Sequence, residues 1–170
     1  EYALIRREFL DDNLRGQAPG KTNKNILVTL GGWSNEDVFL KLSHALGSFK
    51  DFNIRILSTI TLNMKDQYIW ADLIVGAPGG TCWESCYYGI TGVVGILSEN
   101  QALVADELQK RGVFESVGWF KEASQEHIVS ALKKMLSVEN EDKVWQMKNR
   151  ARELVDGMGA KRILSAIEGI

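Results

Sequence analysis

An α/β fold, a parallel sheet with helices on both faces, is predicted by three features of the sequence. Short apolar runs without alternation recur along the chain, as expected of strands buried on both faces. Each run ends in a glycine or polar turn, and an amphipathic pattern of helical spacing follows it. The length of 170 residues suits one domain with a full-sized core, and 45% hydrophobic with 25% charged residues is ordinary for a globular chain.

Residues 1–25 read as a linker segment and residues 26–170 as the domain. Residues 11–25 mix Asp, Asn, Gly, Pro, Lys and Thr with few apolar side chains. Glu1 is not a Met, so the chain is expected to be part of a longer protein that holds the other half of a site. The first strand is Ile26-Leu27-Val28-Thr29-Leu30, ended by Gly31-Gly32. Val38, Phe39, Leu42, Ala45, Leu46 and Phe49 then recur at helical spacing, with Ser34 or Asn35 available as N-cap. Ile54-Arg55-Ile56-Leu57 is the second strand, Asn63 can cap a short helix reaching Trp70, and Leu73-Ile74-Val75-Gly76 is the third strand. The loop Ala77-Pro78-Gly79-Gly80 leads into a helix over about 82–88. A fourth strand over 92–97, a helix over 101–111 and a short strand over 113–117 follow. Helices over 124–136, 142–155 and 160–167 close the chain, their apolar positions fitting the 3.6-residue period. This alternation is Rossmann-like.

Composition excludes several functions. The formal net charge is −2 and the Lys and Arg residues form no dense cluster, which argues against nucleic acid as a partner. No apolar run approaches the roughly 18 residues of a membrane span. Residues 1–10 carry charges throughout, unlike a signal peptide, so a cytoplasmic protein is expected. Cys82 and Cys86 lie four apart on one helix, a poor geometry for a disulfide, and too few ligands surround them for a metal. They are expected to be buried thiols, and neither cofactor nor metal is expected.

In an open parallel sheet, ligands bind beyond the carboxyl ends of the strands. Gly31-Gly32 and Gly79-Gly80 both fall there, and neither matches a dinucleotide or P-loop pattern. The second turn runs straight into a helix, whose free N–H groups and partial positive charge suit a diphosphate. Thr81 can present its hydroxyl to a phosphate, and Glu84, one turn on, can accept from a ribose diol. The same Thr81-x-x-Glu84 spacing is also a capping box, with Glu84 bonded to the backbone of Thr81, and both readings are open. Trp83, Tyr87 and Tyr88 are expected in the core, while Trp33 is a weaker candidate for lining the cleft. His44 and His127 are expected to be solvated or capping, and no acid, base or nucleophile can be assigned.

The stretch Ala71-Asp72-Leu73-Ile74-Val75-Gly76-Ala77-Pro78-Gly79-Gly80-Thr81-Cys82-Trp83-Glu84 resembles the signature of the PseG group. These are UDP-sugar hydrolases of pseudaminic acid biosynthesis, related to MurG glycosyltransferases and to spore coat polysaccharide biosynthesis proteins. The pieces Tyr2 to Phe9, Ile26 to Ser34, and Leu97-Ser98-Glu99-Asn100-Gln101 resemble that family's interdomain segment, first glycine loop and later loop, in the same order. The resemblance implies the C-terminal half of a GT-B fold, partnered by an N-terminal half that carries the family's catalytic histidine. It further implies that Gly79, Gly80 and Thr81 contact the diphosphate and Glu84 the ribose of a UDP-sugar. Gly31, Gly32 and Ser34 would approach phosphate or sugar, with Asn100 and Gln101 near the sugar. One departure stands out: the family has a further βα unit between the strand at Ile54 and the signature, where this chain has room for one crossover.

Two functions of different class follow. One is the donor-binding half of a UDP-sugar hydrolase or glycosyltransferase, expected to bind its ligand but turn nothing over alone. The other is a non-catalytic scaffold or dimerisation domain derived from the same fold, for which the shortened middle speaks. A flavodoxin-like receiver or cofactor domain is disfavoured by the lack of an acidic cluster at the strand ends.

Overall fold

The computed structural model of the chain describes residues 2–10, 24–32, 36–57 and 63–169. Ser34, Trp33 and Asn35, most of the expected linker, and residues 58–62 of the shortened crossover lie outside them. Five strands form one all-parallel sheet: β1 (Asn25–Thr29), β2 (Asn53–Leu57), β3 (Leu73–Gly76), β4 (Thr91–Ile96) and β5 (Glu115–Trp119), in the order β2-β1-β3-β4-β5. Between them run α1 (Glu36–Leu46), α2 (Met64–Trp70), α3 (Gly80–Tyr87) and α4 (Ala102–Lys110). After β5 come α5 (Gln125–Leu136), α6 (Glu141–Leu154) and α7 (Gly159–Glu168).

Strand parity sorts the apolar runs into two cores. Ile26, Val28, Leu73, Val75 and Val93 point to one face, where Val38, Leu42 and Ala45 of α1 and Ile128, Leu132 and Met135 of α5 cover them. Leu27, Ile74 and Val94 point to the other, against Met64 and Tyr68 of α2, Cys82 and Cys86 of α3, and Leu108 of α4. Burial of each large aliphatic side chain contributes on the order of 2 kcal/mol, so a strand apolar on both faces stabilises the sheet twice over. Ile5 and Phe9, before β1, are buried in this second core. They anchor the segment at residues 2–10 beside the carboxyl ends of the strands. Cys82 and Cys86 are free and buried, and burial pushes the Cys82 thiol up to about 12. The expected cores of Trp83, Tyr87 and Tyr88 are realised, with both tyrosines buried and Trp83 packed at the core's margin.

The strand order follows from the shortened middle. A doubly wound sheet of order 3-2-1-4-5-6 that lacks its outermost unit becomes, when renumbered, the order seen here. The switch point is untouched by that loss. The chain leaves β1 toward β2, crosses back through α2, and leaves β3 toward β4, so the loops after β1 and β3 diverge and open a crevice between them.

Several boundaries differ from expectation, each for a local reason. The last strand begins at Glu115 rather than at residue 113, because the N–H groups of Val113 and Phe114 close the end of α4 on the Leu108 carbonyl. The α3 helix starts at Gly80, two residues before the expected Cys82, because extended Gly79 serves as N-cap and its carbonyl accepts from Cys82 N–H at 2.9 Å. Asn63 precedes α2 as expected but caps no backbone N–H; its amide donates to Asp66. Residues 99–101 form a 3-10 turn ahead of α4. Ser124 caps α5 by accepting from His127 N–H.

Candidate functional site

The crevice at the switch point is a cleft of about 480 Å³. Its walls bring together Gly31 and Gly32 after β1, Gly79, Gly80 and Thr81 at the start of α3, Glu84, and Gln101 beyond β4. Most of the residues singled out in the sequence thus meet in one place. Ser34 lies outside the described residues, and Asn100 is exposed, with its side chain accepting from Ser98 Oγ at 2.6 Å. Gln101 also pins its own loop, since its Oε1 accepts from the N–H of Leu97 at 2.9 Å.

The two glycine loops approach closely. Gly31 has φ +71°, a left-handed conformation that a side chain would strain, and a Cβ there would lie 3.6 Å from Thr81 Oγ1. The β1 loop is braced from inside, with Thr29 Oγ1 accepting from Gly31 N–H at 3.3 Å. Across the gap, among the described residues, no side chain caps α3, and Gly80 and Thr81 line the cleft, which puts the helix's first N–H groups at its wall. Donors and helix dipole together suit an anion.

Glu84 does not form the capping box. Its Oε1 accepts from Arg6 Nε at 2.9 Å, and its Oε2 accepts from Arg6 Nη2 at 3.2 Å and Tyr68 Oη at 2.7 Å. Thr81, expected as a possible cap, sits inside the first turn of α3 instead. Glu84 is 8% exposed and Tyr68 1% exposed, whereas the Arg6 side chain is 48% exposed. Burial, reinforced by the charge of Glu84, pushes the Tyr68 phenol far above its usual range, so its hydroxyl remains a donor. The bond to Glu84 likewise raises Arg6, which stays a cation. Arg6 also stacks 4.2 Å from the Phe9 ring centre and pairs with Glu8 at 3.2 Å.

Arg6 and Tyr68 were not singled out for the site by their sequence positions. Arg6 stands in a segment legible only as a linker, and Tyr68 occupies an apolar position of a short helix. The available signal was the crowding of Arg6, Arg7 and Glu8 between the apolar Ile5 and Phe9, which marks a charged turn pinned to the domain at both ends. His44 and His127 are exposed and line no part of the cleft. Among the described residues no group of His, Cys, Asp and Glu could hold a metal ion, and no helix is long and apolar enough to cross a membrane. A second groove of about 570 Å³ is lined by Arg111, Arg150 and Arg162, but Arg111 pairs with Glu107 and Arg162 with Asp156.

No protein-family model matches the chain, and no curated protein sequence does. Solved structures do. A crystal structure of MurG from Acinetobacter baumannii is similar with a TM-score of 0.67 and 18% identity, over 93% of this chain and 52% of that one. The glycotransferase of kitacinnamycin is similar with a TM-score of 0.66 and 17% identity, over 98% of this chain and 47% of that one. S. aureus MnaA, solved with UDP, is similar with a TM-score of 0.63 and 16% identity, over 94% and 50%. The chain spans about half the length of each of these structures. It has the fold of the Rossmann-like half of a GT-B protein.

Proposed function

We propose that the chain is the donor-binding half of an enzyme acting on a UDP-activated sugar. The observation that carries this reading is the convergence of two glycine loops, an uncapped helix start and a nearly buried carboxylate in one switch-point cleft. The diphosphate lies against the N–H groups of Gly80 and Thr81 and beside Gly31 and Gly32, while Glu84 accepts from the ribose. The similarity to MurG and to an MnaA structure containing UDP supports the same ligand class.

The chemistry follows from the anion site. As the bond between the sugar and UDP breaks, negative charge grows on the leaving diphosphate, where the helix N–H groups and dipole stabilise it. Among the described residues the cleft holds one carboxylate, Glu84, and it is already engaged by Arg6 and Tyr68. A partner half would therefore supply the group that activates water, in a hydrolase of the PseG type, or an acceptor hydroxyl, in a glycosyltransferase. The sequence resemblance suggests a role in pseudaminic acid or related polysaccharide synthesis, with Ser34 beside phosphate or sugar and Asn100 and Gln101 near the sugar.

Calorimetric titration with UDP tests the reading, with CDP as control. Binding in the micromolar range, about 8 kcal/mol, is expected, and CDP is expected to bind more weakly. No heat at millimolar UDP would favour the scaffold reading, which the exposed edge strand β2 and the missing outer unit support.

A further inference from the structure

We infer that Arg6 and Tyr68 restrict Glu84 to accepting from a single sugar hydroxyl, so that the site tells the two ribose hydroxyls apart instead of clasping both. The inference rests on the donor-site reading and adds to it the way in which the carboxylate is shared.

An ionised carboxylate offers about four acceptor positions, two on each oxygen. The planar guanidinium fork of Arg6 takes one on Oε1 and one on Oε2, at 2.9 and 3.2 Å. Tyr68 Oη takes the second on Oε2, at 2.7 Å. Among the described residues, one position on Oε1 is left, whereas a vicinal diol needs two.

Tyr68 is held by the core and Arg6 by its fork at the cleft's edge. The Tyr68 ring is wedged between Phe9, edge-on at 5.8 Å, and Tyr88, stacked at 5.7 Å, and its helix is buried against the sheet on that side. The packed ring holds its hydroxyl on Oε2 at 2.7 Å. Arg6 lies against the Phe9 ring and pairs with Glu8 at the surface while its fork spans both oxygens of Glu84. Tyr68 acts on the ligand through Glu84 and is a positioning residue, whereas Arg6 also lines the cleft itself.

Titrating the chain with UDP, 2′-deoxy-UDP and 3′-deoxy-UDP separates the possibilities. In the unaltered chain one deoxy analogue is expected to bind within about twofold of UDP and the other about tenfold or more weakly, the loss of one hydrogen bond to a charged acceptor. Arg6→Leu frees a position on each oxygen, and both analogues are then expected to bind about tenfold more weakly than UDP does to the same variant. Tyr68→Phe keeps the ring packing and frees one position on Oε2, so it should shift discrimination in the same direction if Arg6→Leu does not fold. A ribosyl role that was merely structural would scale all three ligands together. Equal discrimination against both analogues in the unaltered chain, against neither, or a pattern unmoved by both variants would overturn the inference. Absence of UDP binding to the unaltered chain would instead overturn the donor-site reading beneath it.

Discussion

Glu84, at the carboxyl ends of the strands, and Asp72, at their amino ends, are both nearly buried carboxylates in reach of a cation, 8% and 4% exposed. Asp72 accepts from the N–H groups of Lys24 and Asn25 at 3.1 and 2.9 Å, tying the start of β1 to the start of β3. Its cation is Lys148 of α6, itself 1% exposed, so both charges are withdrawn from water. Burial lowers Lys148 to about 8 despite the attraction of Asp72, and burial raises Asp72 despite its backbone bonds and Lys148. Glu84 is held by an arginine fork that reaches solvent and opens on a cleft. A buried acid and a buried ammonium that attract each other fix the frame, at a cost in desolvation. A pair with one wet guanidinium leaves its carboxylate able to meet a ligand.

The sharpest way to break this comparison is to exchange the consequences of losing each acid. Asp72→Ala removes two backbone hydrogen bonds and strands Lys148 in the core, and should destabilise the chain by about 3–5 kcal/mol in denaturant unfolding. UDP affinity of the fraction that remains folded should be unchanged. A loss of binding without a loss of stability would reverse the roles assigned to the two ends.

The next effect is a pH dependence with a definite sign. Lys148 is lowered in the folded chain from 10.5 to about 8, so the folded state gives up this proton before the unfolded state does. The cost of burying the charge is therefore fully present below about pH 8 and is relieved as pH rises from there toward 10.5. Relative to Lys148→Met, the unaltered chain should gain on the order of 3 kcal/mol of stability between pH 7 and 11. A gap between the two proteins that does not change with pH would remove the buried-charge half of the comparison.

Smaller effects are expected at the open end. Glu84→Gln should weaken UDP binding by about 1.5–3 kcal/mol, the range for hydrogen bonds to a charged group, with the stability loss limited because Arg6 remains half in water. Gly31→Ala should cost about 1 kcal/mol of stability, because φ +71° disfavours any side chain while the added methyl would meet Thr81 at ordinary contact distance. Its effect on UDP affinity reports how closely the two glycine loops cooperate.

The framework of the fold was legible because parallel strands buried on both faces leave unbroken apolar runs, as at Ile26 to Leu30 and Leu73 to Gly76. The glycine turns, in turn, mark where those strands end. The meeting of Gly31 with Thr81 was legible only as two loops on one sheet edge, since their separation depends on which strands are neighbours. Long-range partners were not legible. Arg6 and Glu84 are 78 positions apart, and no local pattern announces that a linker arginine turns back onto a helix start. The capping-box spacing of Thr81 and Glu84 pointed to a local bond, which lost to a charged fork and a buried phenol offering stronger, better-aligned donors.

The most direct test is a crystal structure of the chain with UDP bound. The account expects the diphosphate against the N–H groups of Gly80 and Thr81 and beside Gly31 and Gly32. The ribose should touch Glu84 while Tyr68 keeps its bond to Oε2. UDP seated in the arginine-lined groove, or in the cleft with no contact to Glu84, would contradict it.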